Sequence, residues 1–391
     1  MQPARSAAVA GLFLALAAQA AQAAPAALPA PADAPRTPAS APAADPPAAC
    51  DRQAQSAGCL LRLALPQDAG RLAYYVSQQP GAAPTPESAL LVMHGYPRDA
   101  AHSFNAGLAA VQGAGLQGRV LVVAPLFQVE AAQAQRCHTP GEVTAQAGDA
   151  LWRCGAWLAG EASAGPHPIT AFAALDALVA ELVRQWPGLR TVTLAGFSAG
   201  AQLLQHHAAF AAAPPAGVRL RHVVADPGTW LYFDAVRPLP VRDGQPVADP
   251  SDCGPAPGYP GSCQLVLQTP DAAACPQYDQ WKYGVADLPA HLGDAAAARA
   301  RYRAADLAYL AGALDSGPGP GNADRVLDHG CAAQLQGPYR LQRAQGYAAY
   351  EQQVLQPPRP RPLQVVPGCR HDVACVLPSA AARDVLFGER R

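Results

Sequence analysis

Five residues of this sequence could activate a hydroxyl: Gly196-Phe197-Ser198-Ala199-Gly200. The run Thr191-Val192-Thr193-Leu194-Ala195 precedes them and reads as a buried strand, and the alanine-rich stretch 199–213 that follows favours helix. Strand, G-x-S-x-G, helix is the setting a nucleophile elbow requires. A serine on so tight a turn takes a strained backbone conformation that lifts its hydroxyl clear of the sheet. Gly196 and Gly200 leave room for the turn, because a Cβ at either would strike neighbouring backbone. The first N–H groups of the helix lack intrahelical acceptors and can face a developing oxyanion.

A serine hydroxyl is a weak nucleophile until a base takes its proton. A histidine does this near neutral pH when a carboxylate fixes its tautomer. The sequence therefore needs an aspartate and a histidine after later strands, in the order Ser, Asp, His. His371 lies in Pro367-Gly368-Cys369-Arg370-His371-Asp372, between the apolar run Leu363–Val366 and a closing helix expected over 378–386 with proline at its start. His206 and His207 fall about two turns along the helix from Ser198, and His222 precedes a strand. Two aspartates obey the chain order. Asp315 follows the stretch 306–314, a strand candidate whose Leu and Ala content also allows helix, and Asp226 follows Val223-Val224-Ala225. Asp315 is favoured, since the loop after the penultimate strand lies closer to the terminal histidine. Asp226 is the alternative acid or, beside Pro227, a turn cap.

The elements that must position these residues alternate between strand and helix. Residues 60–65 and 71–77 flank Pro66-Gln67-Asp68-Ala69-Gly70 and read as a hairpin. Ala89–Met93 and Val120–Ala124 are continuous apolar runs, as expected of strands buried on both faces. Helical spacing predicts helices over 101–113 and 169–186, the second stopped by Pro187-Gly188. Further helix is expected over 295–303 and, interrupted at Gly337-Pro338, over 323–355. The pattern predicts an α/β fold: one mostly parallel sheet with helices on both faces and Cys-bearing insertions. Two stretches break the alternation. Residues 128–167, with Trp152 and Trp157, form an irregular excursion that either lines a pocket or is a disulfide-pinned loop. Residues 228–300 form an insertion or lid. Its Trp230, Tyr232, Tyr259, Tyr278, Trp281 and Tyr283 either contact substrate or, as favoured, pack a small core of the insertion's own.

The flanks and composition bound the setting. Residues 1–23 read as a secretory leader: Arg5, an apolar core over 7–18, and Ala21-Gln22-Ala23 for cleavage. That core is short for a membrane span, and no later stretch approaches one. Residues 24–49, almost wholly Ala, Pro, Ser and Asp, predict a disordered linker, so a domain is expected over 50–391. Ten cysteines fit an exported, oxidised chain. Neighbour pairing gives Cys50/Cys59, Cys137/Cys154, Cys253/Cys263 and Cys369/Cys375, with Cys275 and Cys331 left over. No C-x-x-C or zinc spacing is present, so no metal is expected. A net charge of −1, with 15% charged residues, offers no basic field for nucleic acid.

These motifs resemble the α/β-hydrolase superfamily, with the look of secreted bacterial esterases and polyhydroxybutyrate-depolymerase-like proteins. Gly196–Gly200 matches its elbow, His94-Gly95-Tyr96-Pro97 its oxyanion loop, and Asp315 and His371 its acid and base. The resemblance implies an oxyanion hole from the N–H groups of Tyr96 and Ala199, a structural part for His94, and no cofactor. The resulting expectation is a periplasmic or secreted serine hydrolase acting on small or polymeric carboxylic esters. A peptidase or amidase on the same scaffold shares the triad. A non-catalytic binding protein is disfavoured because Ser198, an aspartate and His371 are all present.

Overall fold

The apolar runs of this chain are too long and too uniformly buried to face water on either side, and they assemble at the centre of one sheet. A computed structural model describes residues 50–53, 58–247, 253 and 263–388; the leader, the linker and Tyr259 lie outside the described residues. The strands are β1 (Leu60–Ala64), β2 (Arg71–Val76), β3 (Ser88–Met93), β4 (Val120–Leu126), β5 (Thr191–Phe197), β6 (Arg219–Ala225), β7 (Arg237–Arg242), β8 (Gln245–Pro246), β9 (Gln264–Gln268), β10 (Leu307–Gly312) and β11 (Leu363–Val366). The α-helices are α1 (Ala100–Gly113), α2 (Ala131–Cys137), α3 (Ala171–Gln185), α4 (Ala199–Phe210), α5 (Ala295–Ala304), α6 (Cys331–Gln334), α7 (Arg340–Tyr350), α8 (Val373–Val376) and α9 (Ala380–Phe387).

Eight strands form the main sheet in the order β1-β2-β4-β3-β5-β6-β10-β11. The hairpin β1/β2 and the β2/β4 pair are antiparallel, and every other neighbour is parallel. Successive side chains divide between the faces. Leu90 and Val92 pack with Phe104 and Val111 of α1 and with Val376 and Leu386 beneath the C-terminus. Leu91 and Met93 pack with Leu175, Leu178 and Leu182 of α3 and with Trp186. Each such side chain contributes about 1.5–3 kcal/mol by leaving water. The strand order reverses beside β3, with β4 on one flank and β5 on the other. In an open α/β sheet this opens a crevice at the carboxyl ends of those strands. His94 follows β3 there and Ser198 follows β5.

Several boundaries differ from the sequence expectation. Strand β4 runs through Pro125 to Leu126, where Pro125 pairs with Tyr74. Helix α9 starts at Ala380, with Ser379 accepting from the Ala382 N–H; Pro378 precedes the cap. The stretch 323–355 is broken into short pieces ahead of α7. Beyond β6 the chain adds a three-stranded antiparallel sheet, β8-β7-β9. Trp230 and Tyr232 are buried with Tyr302, Tyr309 and Tyr347, so they belong to the main fold and not to a small core of their own. Trp230 stacks on Tyr347 at 4.3 Å between ring centroids.

The excursion over 128–167 is folded around a buried cation. Arg98 is wholly buried, lies over the Trp157 ring and donates to backbone carbonyls: Phe127 (2.6 Å), Trp152 (3.1 Å), Arg153 (3.2 Å), Cys137 (3.2 Å) and Cys154 (3.4 Å). Burial pulls its pKa down to about 10. Cys137–Cys154 closes the same excursion, and Trp152 and Trp157 are fully buried beneath it.

Five disulfides are present, the four neighbour pairs and Cys275–Cys331. No helix among the described residues is long and apolar enough to cross a membrane. Cys275–Cys331 spans a separation of 56 residues and Cys369–Cys375 only 6. Loop-closure entropy grows with the logarithm of that length, so breaking the long loop should cost about 2 kcal/mol more than breaking the short one. Guanidinium unfolding of the two paired Cys→Ser variants measures the difference, and equal losses would show that loop closure does not set it.

Candidate active site

Ser198 sits at φ 58° and ψ −121°, between the end of β5 and the start of α4. Such a backbone costs a non-glycine residue about 1–3 kcal/mol, so the surroundings must enforce it. They do so by close approach. A Cβ on Gly196 would run into the Gly200 carbonyl, and one on Gly200 would lie 2.6 Å from the Met93 carbonyl oxygen. The Ser198 N–H donates to the Ala225 carbonyl at 3.0 Å, which ties the turn to β6. Ser198 itself remains partly exposed.

The chain brings His371 and Asp315 to this serine. The Ser198 hydroxyl lies 2.9 Å from His371 Nε2, and His371 Nδ1 lies 2.7 Å from Asp315 Oδ2. With Nδ1–H donating to the carboxylate, Nε2 is left to accept the serine proton. Burial holds His371 below its ordinary pKa against the opposing pull of Asp315, so its neutral form prevails near pH 7. The loop that carries it is braced at several points. Cys369–Cys375 closes it, Leu314 N–H donates to the Cys369 carbonyl at 2.9 Å, and the Phe197 ring packs 4.6 Å from the imidazole. A Cβ on Gly312 would sit 2.7 Å from the Cys369 carbonyl oxygen, so only glycine lets β10 run beneath this loop.

The two candidate acids differ in what they face. Asp315 turns Oδ2 to His371 and Oδ1 to the Arg340 guanidinium at 3.3 Å, and both residues are buried. Asp226 turns both oxygens to the Gly312 N–H, at 3.0 and 3.1 Å. It thus caps the end of β10, and the alternative reading of it as the acid beside the imidazole does not fit its position. Burial first, and then the nearby Asp315 charge, raise the Asp226 pKa well above the ordinary carboxylate range.

The loop after β3 stands against the serine: a methyl on Gly95 would lie 3.8 Å from Ser198 Cβ. His94 Nε2 accepts from the Phe127 N–H at 3.2 Å, which leaves Nδ1–H to donate to the Gly95 carbonyl at 2.8 Å. Burial drives its pKa down to about 3, so it stays neutral and keeps both bonds. Asp99 accepts from the Gly95 N–H at 3.0 Å. The Tyr96 N–H donates to no group among the described residues, and Ala199 holds the first position of α4. No group of three or more His, Cys, Asp or Glu among the described residues could hold a metal ion.

Strand order and elbow together decide the architecture. The chain has the α/β-hydrolase fold. Neither a protein-family model nor a curated protein matches the sequence. Among solved structures, the poly(3-hydroxybutyrate) depolymerase LpqC from Bordetella parapertussis is similar at a TM-score of 0.50 and 18% identity, over 85% of this chain and 91% of that one. Poly(aspartic acid) hydrolase-1 from Sphingomonas sp. KT-1 aligns at a TM-score of 0.48 and 18% identity, over 81% and 93%. The siderophore hydrolase EstB from Aspergillus nidulans aligns at 0.42 and 12%, over 84% and 96%.

Sequence reasoning missed the residues that hold the acid loop. Arg340 also donates to the Asn322 carbonyl at 2.8 Å, and Asn322 donates to the Leu314 and Gly317 carbonyls. Gln342 donates to the Ser316 carbonyl at 3.1 Å. No spacing rule links these positions, because the contacts form only when α7 docks on β10. A buried carboxyl with a raised pKa binds its proton more tightly folded than unfolded, so it withdraws stability as pH rises. Asp226→Asn supplies the same acceptor without the charge. It should gain stability over the parent steadily as pH climbs above the ordinary carboxylate range. Urea unfolding across pH reads this, and a pH-independent difference would mean that Asp226 is ionised throughout.

Proposed function

We propose that this protein is an exported serine hydrolase that cleaves carboxylic esters through Ser198, His371 and Asp315. The observation that carries the reading is the unbroken path from the strained serine hydroxyl through both imidazole nitrogens to a buried carboxylate. Ser198 Oγ attacks the acyl carbonyl carbon while His371 Nε2 takes its proton. The resulting oxyanion is met by the N–H groups of Tyr96 and Ala199. Collapse expels the alcohol, which takes the proton from His371, and leaves an acyl-Ser198 ester. Water then attacks this ester with His371 again as base, releasing the acid and restoring the serine. Asp315 keeps the proton on Nδ1 and steadies the transient imidazolium; Arg340, 3.3 Å from the other carboxylate oxygen, keeps Asp315 turned toward the ring. The disulfides support export, with a leader removed after Ala23 ahead of the linker at 24–49 and the domain at 50–391.

Ser198→Ala should lower turnover of p-nitrophenyl esters by about 10⁴-fold or more while leaving the melting temperature unchanged. A panel of graded acyl lengths and a polyhydroxybutyrate film, run on both proteins, gives the substrate class; normal turnover by the variant defeats the proposal. Protonated His371 cannot accept the serine proton, so kcat/KM should fall on the acid side with a midpoint below the ordinary histidine value of 6.5. The Arg340 charge contributes to that depression. Arg340→Met should therefore move the midpoint upward, and an unmoved midpoint would remove Arg340 from the charge balance at the site.

A further inference from the structure

At the opposite rim of the sheet, a cavity of about 940 Å³ opens at the N-terminal ends of β3 to β6 and beneath α9. The seven residues of β5 separate it from Ser198 by about 23 Å at the usual rise per residue. Its walls carry five arginines, Arg119, Arg190, Arg219, Arg221 and Arg383, against two carboxylates, Glu87 and Asp384. Where these guanidinium groups are spent decides what the cavity can bind. Arg219 takes Asp306 at 2.5 Å. Arg119 pairs with Glu87 at 3.6 Å on open surface, and Arg190 donates to the Pro187 and Leu189 carbonyls. Arg221 and Arg383 are different. The Arg221 side chain is 16% exposed and reaches only the far oxygen of Asp306, at 3.9 Å; its buried Nε has no hydrogen-bond partner. Arg383, partly buried on α9, has no hydrogen bond or ion pair among the described residues.

A guanidinium withdrawn from water without acceptors is costly, and its planar fork matches the oxygens of a phosphate group. Arg98 meets carbonyls through all three nitrogens and Arg340 meets carbonyls and a carboxylate through both terminal nitrogens, whereas the Arg221 side chain makes no hydrogen bond among the described residues. We propose that the cavity is an anion-binding site in which Arg221 and Arg383 together grip a phosphate group. Arg190 and Arg219 supply the surrounding positive field. Burial lowers the Arg221 pKa, and a bound anion would reverse that shift. The ligand class is a phosphate-bearing molecule or a short polyphosphate, since the space exceeds one inorganic ion. The site shares no residue with the serine centre.

Titration calorimetry of the full chain at low ionic strength, with inorganic phosphate and with tripolyphosphate as separate probes, tests the proposal. One saturable site is expected. Arg221→Gln and Arg383→Gln should each weaken it by about 10-fold or more, as expected for losing a charge-assisted hydrogen bond, and the double variant should abolish it. Arg325→Gln, which removes an exposed charge elsewhere, should bind as the parent does. Ser198→Ala should also bind normally, so failure of the hydrolase reading and failure of this one are separate results. Tripolyphosphate tighter than phosphate identifies an extended ligand, and equal affinity a single phosphate pocket; both support the site. Melting temperatures without ligand confirm that each variant is folded. Absence of binding at millimolar probe, binding untouched in the double variant, or equal loss in Arg325→Gln overturns the proposal.

Discussion

The constraint on which the rest depends is the near-contact of three backbone segments at the top of β5. Gly196, Gly200 and the carbonyl of Met93 meet so closely that none has room for a side chain in the gap. This contact forces the chain to reverse at Ser198 with a positive φ. The strain is sustained because β5 is held on both sides, by β3 from Thr191 to Gly196 and by β6 over its full length. A nucleophile on a flexible loop would have to be ordered at each turnover. Here the order is built in by folding.

Around that point, loops are fixed by polar groups that have lost their water and must find partners inside. Arg98 gathers carbonyls from Phe127 through Cys154, and so anchors the excursion to the loop that begins at His94. His94 bridges the same two segments through a donor at Nδ1 and an acceptor at Nε2. Charging His94 would destroy the acceptor, and its low pKa keeps that event remote from neutral pH. The loop facing the serine is thus positioned by groups that never touch the reacting atoms.

What was legible in the sequence was whatever depends on local chemistry. The elbow follows from Gly196, Ser198 and Gly200 within five residues, and the strand assignments from short apolar runs. His371 was legible because few histidines follow a late strand. Arg98, Arg340 and Gln342 were not, since each is specified by acceptors that arrive from elsewhere in the chain, and Asn322 closes its own loop back to Leu314 and Gly317 without a motif to mark it. Arg340 sits 25 residues from Asp315 and on a different element. Trp230 and Tyr232 escape a local reading for a related reason. Their partners Tyr302, Tyr309 and Tyr347 lie beyond that segment in sequence, on α5, β10 and α7, and only the docking of those elements brings them together.

Charge placement explains why the fold uses one aspartate and not the other. Asp226 and Asp315 are both buried and close enough to repel, so ionising both would be expensive. Arg340 touches Asp315 directly and favours its charge, and the His371 N–H adds a second donor to the same carboxylate. Asp226 receives one backbone N–H and, among the described residues, no cation at contact distance, and its pKa is raised. That shift favours the uncharged form of Asp226 and so lessens the negative charge facing Asp315. The acid next to the imidazole is therefore placed by three neighbours: Arg340 and His371, which meet its two oxygens, and Asp226, whose raised pKa lessens the repulsion between the carboxyls.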